Sequence, residues 1–211
     1  MGTKFNSASH NIISNLCLKL GFEKIQKLDV FYNQSIFKIF GTKVDAKLGV
    51  TKADKLIPFL KAVVGRKFCL KGDRLFFETG LKLGKIFGQT SLVEKFFLGD
   101  TLRGYKKESI GPVNQNKKIG GNSFIEIRNK IGFYINKFEV FAFSDVGINS
   151  VKGLGECYSI LMNFGDNNCI GKSVGVGVSM KTRKGPSFIF AVPLTTSLDC
   201  EKYVIGVDFE F

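Results

Sequence analysis

The chain alternates apolar residues with polar or small ones, and this period of two recurs in many segments. In residues 173–180 every even position is Val or Met and every odd position is Ser or Gly. In residues 203–211 five apolar side chains share one face, and residues 43–50 alternate in the same way. A period of two puts successive side chains on opposite faces of a β-strand, whereas a helix has a period of 3.6. The sequence therefore predicts an all-β, antiparallel protein.

Several of these segments have ten or more residues, whereas strands of globular proteins average about 5–6. Tilted strands of about ten residues are long enough to cross a membrane. Most connections are short, but residues 99–122 and 149–172 are long, and this asymmetry is typical of transmembrane barrels. We therefore predict one transmembrane β-barrel domain over residues 1–211, with about eleven or twelve strands. The predicted strands are 15–23, 29–40, 43–51, 58–70, 74–87, 90–98, 123–135, 138–148, 173–183, 186–195 and 203–211, and segment 155–164 could add a twelfth.

A soluble antiparallel sandwich would also alternate, but the two faces favour the barrel. The polar face is rich in Gly and Lys, as a wet lumen would be, and the apolar face carries almost no charge. A soluble sheet would also need protected edges.

The composition adds a strong positive charge and excludes several kinds of site. Lys and Arg total 31 against 18 Asp and Glu, which gives a formal net charge of +13, spread singly along the chain. The five Cys residues form no CxxC pair, so a zinc site or a disulfide framework is not expected. His10 is the only histidine, which leaves no room for a catalytic triad elsewhere. We expect no enzyme activity, no metal and no cofactor.

Three short motifs stand out in the second half of the chain. They are Leu-Arg-Gly-Tyr at 102–105 in a long polar loop, Gly-Gly at 120–121 shortly before Glu126, and Phe-Ser-Asp-Val-Gly at 143–147. Each motif is weak alone, but their order ahead of an aromatic terminal strand is specific.

With these motifs, residues 90–211 resemble the C-terminal barrel of the outer-membrane β-barrel assembly family, also called the bacterial surface antigen family. This family includes bacterial BamA and the channel subunit of the mitochondrial sorting and assembly machinery. Residues 1–89 match it only by alternation. The matching stretches are 96–105, 120–133, 138–147, 173–194 and 203–211.

The resemblance implies that loop 99–122 folds back into the lumen and that its arginine meets carboxylates on the two following strands. Arg103 would then reach Asp145 and Glu126, and alternation places both carboxylates on the polar faces of their strands. A guanidinium can hold such a carboxylate bidentately. Gly104 would let the loop turn tightly, and Tyr105 would pack beside the ion pair.

Other residues complete this expected site. Phe143 and Gly147 share the face of Asp145, and Gly147 would leave space on the wall. The terminal strand fits the C-terminal signal of mitochondrial barrel proteins at Gly206, Phe209 and Phe211, although Val204 stands at its polar position. Gly206 could also kink the seam at which the barrel opens.

The chain departs from the family in two ways. No POTRA domain is recognised, and about eleven or twelve strands are readable where the family has sixteen. The first family strands and the gate between first and last strands are therefore in doubt. Either the chain is a strongly reduced version, or it is a fragment of a longer product.

Residues 1–6 carry no secretory signal and no myristoylation pattern, and no apolar run approaches the ~18 residues of a membrane helix. Since a bacterial outer-membrane barrel needs a secretory signal, we expect the outer membrane of a mitochondrion or a mitochondrion-related organelle (a mitosome), rather than a bacterial one.

The leading hypothesis is a protein that inserts other β-barrel proteins into that membrane. Its partners would be the lipid bilayer, nascent barrel clients and accessory assembly subunits, with no nucleic acid. A simple pore is the alternative, in which lumen-facing Lys47, Lys61, Lys82 and Lys181 favour anions. A soluble basic β-protein that binds nucleic acid is the third, and it rests on net charge alone.

Overall fold

Ten strands form one antiparallel sheet. The computed structural model describes residues 13–25, 28–39, 42–52, 56–99, 101–115, 117–163, 168–180, 187–195 and 200–208. The strands of the sheet, in spatial order, are β1 (Ile13–Ile25), β2 (Leu28–Ile39), β3 (Thr42–Lys52), β4 (Leu56–Lys71), β5 (Leu75–Gly88), β8 (Ser123–Ile135), β9 (Phe138–Ser150), β10 (Ile170–Met180), β11 (Ser187–Pro193) and β12 (Val204–Asp208). The prediction of a mostly antiparallel β fold is confirmed. Strands β1 and β12 stand at the two ends of this order and do not pair with each other over their described residues, so the structure leaves the predicted barrel closure unconfirmed.

The connection between β5 and β8 interrupts this simple order. It contains a short 3-10 helix at Leu92–Glu94 and a two-stranded hairpin, β6 (Val113–Asn114) and β7 (Lys117–Lys118). The connection between β9 and β10 contains the helix α1 (Leu154–Asn163). No helix in the described part of the chain is long and apolar enough to cross a membrane.

Alternation assigns the two faces of the sheet. Along β10, Gly and Ser side chains are buried at odd positions, whereas Val174 and Val176 are about half exposed at even ones. We call the face that contacts the β5–β8 loop the inner face, and the opposite one the outer face. Leu81 and Phe87 of β5 and Phe190 of β11 are exposed on the outer face.

One polar pair interrupts the apolar outer face. Thr79 of β5 and Asn129 of β8 lie opposite each other, and the Thr79 hydroxyl donates to Asn129 Oδ1 over 2.8 Å. Each polar group therefore has a partner on the sheet itself, so neither is left unsatisfied among apolar neighbours.

Two strand predictions were wrong. Segment 90–98 is not a strand: after the 3-10 helix it pairs only at Phe96 with Gly121 and at Leu98 with Ile110. Its alternation arises because Phe96 and Leu98 point into the core while the segment crosses the inner face.

The second wrong prediction is the possible strand within segment 155–164, because Leu154–Asn163 form the helix α1. Its Cys157, Ile160 and Leu161 are spaced three and four residues apart. That spacing is the helical period, and it was masked by the many apolar residues around it.

Candidate functional site

The β5–β8 loop, residues 89–122, lies against the inner face and forms the main core with it. Leu102 and Ile110 are each 2% exposed, and they pack with Ile86 of β5 and Phe124 of β8. Burial of apolar side chains along the loop fixes the position of its tip, residues 102–105, over β9 to β11.

Arg103 at the loop tip binds Asp145 of β9 in a bidentate ion pair. Its Nε lies 2.8 Å from Asp145 Oδ2, and one terminal nitrogen lies 2.5 Å from Oδ1. The Arg103 backbone N–H also donates to Oδ2, over 3.1 Å, and the same terminal nitrogen donates to the Asn129 carbonyl, over 2.9 Å. The Asp145 side chain is fully buried, and the Arg103 guanidinium of the loop tip balances its negative charge.

Two further groups surround this pair. The Phe143 ring lies 4.4 Å from the guanidinium carbon of Arg103, which is within cation–π distance. The half-exposed Arg128 of β8 stands 4.0 Å from Asp145, at the limit of an ion pair. The Phe143 ring therefore lies beside the arginine, as its place on the face of Asp145 predicted.

Tyr105 instead satisfies the backbone of β10. Its hydroxyl donates to the Lys172 carbonyl over 3.0 Å and accepts from the Lys172 N–H over 2.9 Å. The pairing of β10 with β11 runs from Gly175 to Met180, and the Leu194 N–H extends it to the Val174 carbonyl. The phenol therefore binds the backbone of β10 next to the end of this pairing.

Gly104 brings the loop backbone against β11. Its φ is +91°, and a Cβ there would lie 2.6 Å from two carbons of the Pro193 ring. Its carbonyl accepts from the Glu201 N–H over 2.7 Å. Both the turn and the close approach require glycine here.

The remaining site residues lie nearby but are not all in contact. Gly147 faces Leu102, and a Cβ there would overlap that side chain. Glu126 is 3% exposed on β8, and its Oε2 has no hydrogen-bond partner among the described residues. The contacts of Arg103 go to Asp145 and Asn129, so the structure does not bring Glu126 to the arginine.

The terminal strand is only partly described. Gly206 pairs with Ile189 of β11, and the register from Val204 to Asp208 has no bulge. Phe209 and Phe211 lie outside the described residues.

A second attachment of the loop escaped the sequence analysis. Glu94 is 3% exposed, its carboxylate lies 2.8 Å from Lys47 Nζ of β3, and its carbonyl accepts from Lys61 Nζ of β4 over 2.9 Å. Lys61 also stands over the Phe96 ring, at 4.6 Å. The sequence did place both lysines on the inner face, but it assigned Glu94 to a strand and so offered them no partner.

A protein-family model described as the Omp85 superfamily domain matches residues 31–211. No curated protein matches the chain. The matched region includes the loop tip, its Asp145 partner and nine of the ten strands of the sheet, β2 in part. Within the described residues, no group of three or more His, Cys, Asp or Glu side chains is placed to hold a metal ion.

Proposed function

This chain belongs to the Omp85 superfamily, and from that premise we propose that it is a non-enzymatic insertase for other β-barrel proteins. The superfamily consists of outer-membrane β-barrel proteins that act in assembly and insertion. Its clients would be nascent barrel proteins. Such a client would offer an unpaired strand, and no covalent bond would be broken.

The observation that carries the proposal is the seating of the loop tip on three strands and the segment before the last one. Arg103 binds β9, Tyr105 binds β10, Gly104 packs on Pro193 of β11, and the Gly104 carbonyl binds Glu201. These contacts hold β9, β10 and β11 together, so this part of the sheet keeps its curvature while an edge strand opens. The loop thus supports the barrel without occupying the edge at which a client pairs.

The client would pair with the last strand. Strand β12, described over Val204–Asp208, stands at the end of the strand order, so one of its two sides pairs with no described strand and can accept a client strand. A client strand would add to this edge by main-chain hydrogen bonds, with the closed barrel as the resting state.

The test is insertion of a barrel client into vesicles that contain the folded protein. Arg103→Asp should abolish insertion, since it sets two carboxylates against each other in a buried site. Because Arg128 would repel an arginine at position 145, the reversed pair Arg103→Asp with Asp145→Arg is best made with Arg128→Gln, and it should restore part of the activity. Arg128→Gln alone is the matched control and should insert normally.

Folding must be read separately from insertion in the same variants. A charge-reversed Arg103 protein that folds and still inserts clients at the normal rate would rule out the role of the loop tip. If every variant folds and none, including the unaltered protein, inserts a client, the insertase proposal itself fails.

A simple pore is the weaker candidate. Two of the lysines expected to line it, Lys47 and Lys61, are engaged by Glu94 of the loop, Lys82 stands 5.8 Å from the Phe124 ring, and Lys181 lies outside the described residues. Planar-bilayer conductance selective for anions, unchanged by Arg103→Asp, would favour the pore over the insertase.

We assign the protein to an organellar outer membrane of the mitochondrial type. The support is the fit of Gly206, Phe209 and Phe211 to the mitochondrial barrel signal. Import into isolated mitochondria that leaves the chain resistant to alkaline extraction, and that is lost with Phe209→Ala and Phe211→Ala together, would support this location. Equal import of both proteins would contradict it.

A further inference from the structure

Helix α1 lies on the outer face of the sheet, over the ends of β5, β8 and β9. Lys85 lies at an outer position of β5, and its Nζ donates to the Lys152 carbonyl over 3.2 Å. The thiol of Cys157 donates to the Ser123 carbonyl over 3.6 Å, and the Ser150 hydroxyl bonds the Glu156 carboxylate. Ser123 and Ser150 are both buried although they occupy outer positions, so the helix covers them.

One flank of this helix, centred about 100° round the helix axis from the buried Cys157, is exposed and uncharged. Leu154, Tyr158 and Met162 follow one another at intervals of four residues, which places them on one stripe. They are 37%, 59% and 61% exposed. The only charged residue of α1 is Glu156, and it faces Ser150 and Lys152 rather than this stripe.

The helix begins where the apolar band of the wall ends. The outer positions of β8 from Ile125 to Ile135 are apolar except for Asn129, and Ser123 is the next outer position beyond Ile125. Those ten residue steps cover roughly 33 Å along a strand, and a tilt near 40° leaves about 25 Å, the height of the lipid-facing band of membrane barrels. Helix α1 therefore lies at the level of the lipid headgroups.

We propose that α1 is an interfacial helix whose Leu154, Tyr158 and Met162 side chains enter the boundary between headgroups and acyl chains. This inference rests on the membrane-spanning wall of the proposed function. Aromatic and apolar residues at this depth anchor a protein in the plane of the interface. The helix lies at the end of the apolar outer band, which makes lipid, rather than a protein subunit, the expected partner of the stripe.

The chain contains no tryptophan, so single substitutions can report the depth of a chosen position. Tyr158→Trp places the reporter on the stripe, Ile131→Trp on the outer face of β8 at mid-band, and Val113→Trp in the hairpin of the inner loop. Each variant is folded into phosphatidylcholine vesicles brominated either near the headgroup or near the chain ends. We expect roughly twofold or greater quenching at position 158 by the shallow bromines, deeper quenching at position 131, and little at position 113.

The outcomes separate the inference from its premise. Quenching at position 131 without quenching at position 158 would overturn the interfacial helix and leave the barrel intact, and it would point to a protein partner on the stripe. Absence of quenching at position 131 would overturn the membrane wall and the helix proposal together. If Tyr158→Trp prevents folding, Met162→Trp on the same stripe gives the same readout.

Discussion

At the residue scale, the loop tip adds side-chain contacts to the backbone pairing of the sheet. Asp145 is held by Arg103, and the N–H and carbonyl of Lys172 both bind the Tyr105 hydroxyl. Buried polar groups are costly only when their hydrogen bonds are not made. The tip therefore stabilises the sheet by binding polar groups of β9 and β10.

Removal of the Tyr105 hydroxyl should remove both of its hydrogen bonds to the Lys172 backbone. We expect Tyr105→Phe to lower the free energy of unfolding by about 1–3 kcal/mol, measured by urea denaturation of the protein folded in detergent. Tyr158→Phe is the matched control, since that side chain is 59% exposed, and it should change little. Equal stability of the two variants would show that water replaces the phenol at no cost.

The close contact of Gly104 with Pro193 gives a second residue-scale prediction. Gly104→Ala combines an unfavourable φ of +91° with a carbon 2.6 Å from the Pro193 ring, so it should displace the loop tip and reduce insertion of clients. Gly155→Ala, where a Cβ meets nothing within 4 Å, should have no such effect. The rate of client insertion into vesicles measures both effects. Equal rates for the two variants would contradict a need for the close contact of Gly104 with Pro193.

At the element scale, the loop is tied to the sheet at two distant places. Glu94 attaches it to β3 and β4, and Arg103 attaches it to β9. These strands are separated in the sheet by β5 and β8. The loop therefore acts as a strap, by which we mean a segment that connects β3 and β4 to β9 across the inner face of the sheet.

Glu94→Gln should weaken the first of these ties. A neutral amide removes the charge attraction between Glu94 and Lys47. The beginning of the loop should therefore become more accessible to protease, while the tip at Arg103 keeps its contacts with β9. Glu108→Gln is the control, because its pair with Lys107 is exposed and 3.7 Å long. Indistinguishable cleavage rates of residues 89–95 in the two variants would argue against the strap.

Helix α1 makes its own prediction through Cys157. Burial raises the pKa of this thiol to about 11, so the reactive thiolate is scarce near neutral pH and its amount grows about tenfold per pH unit. In the folded protein, alkylation at pH 8 should modify the exposed Cys69 first and Cys157 last. Mass spectrometry of the labelled peptides measures the order, and early labelling of Cys157 would mean that α1 detaches readily.

The sequence predicted strands well where each strand has one apolar face, as in 123–135 and 138–148, which match β8 and β9 closely. It failed in segment 90–98, because every second side chain there is buried against the inner face of the sheet, and this produces alternation although the segment forms only isolated bridges. It also missed the Glu94 contacts, since the partners of a charged loop residue depend on where the loop crosses the sheet. The proximity of Arg103 to Asp145 was readable only through the resemblance, because 42 residues separate them.

At the scale of the whole molecule, the sheet runs in sequence order from β1 to β12 around one inner loop. Closure into a barrel should make the protein compact and resistant to detergent. We expect faster gel migration without boiling than after boiling, together with resistance to alkaline extraction from membranes. Identical mobility under both conditions would indicate an open sheet.

The sequential order also sets the course of folding. Neighbouring hairpins pair across short turns, so the sheet can grow quickly from local contacts. The loop tip, however, binds the Lys172 backbone and the Glu201 N–H, which enter only after β9 and β10 have formed. Docking of the loop tip is therefore a late kinetic event that reports completion of the C-terminal strands, and a chain stalled before that event would lack the Arg103–Asp145 ion pair and return readily to the unfolded state.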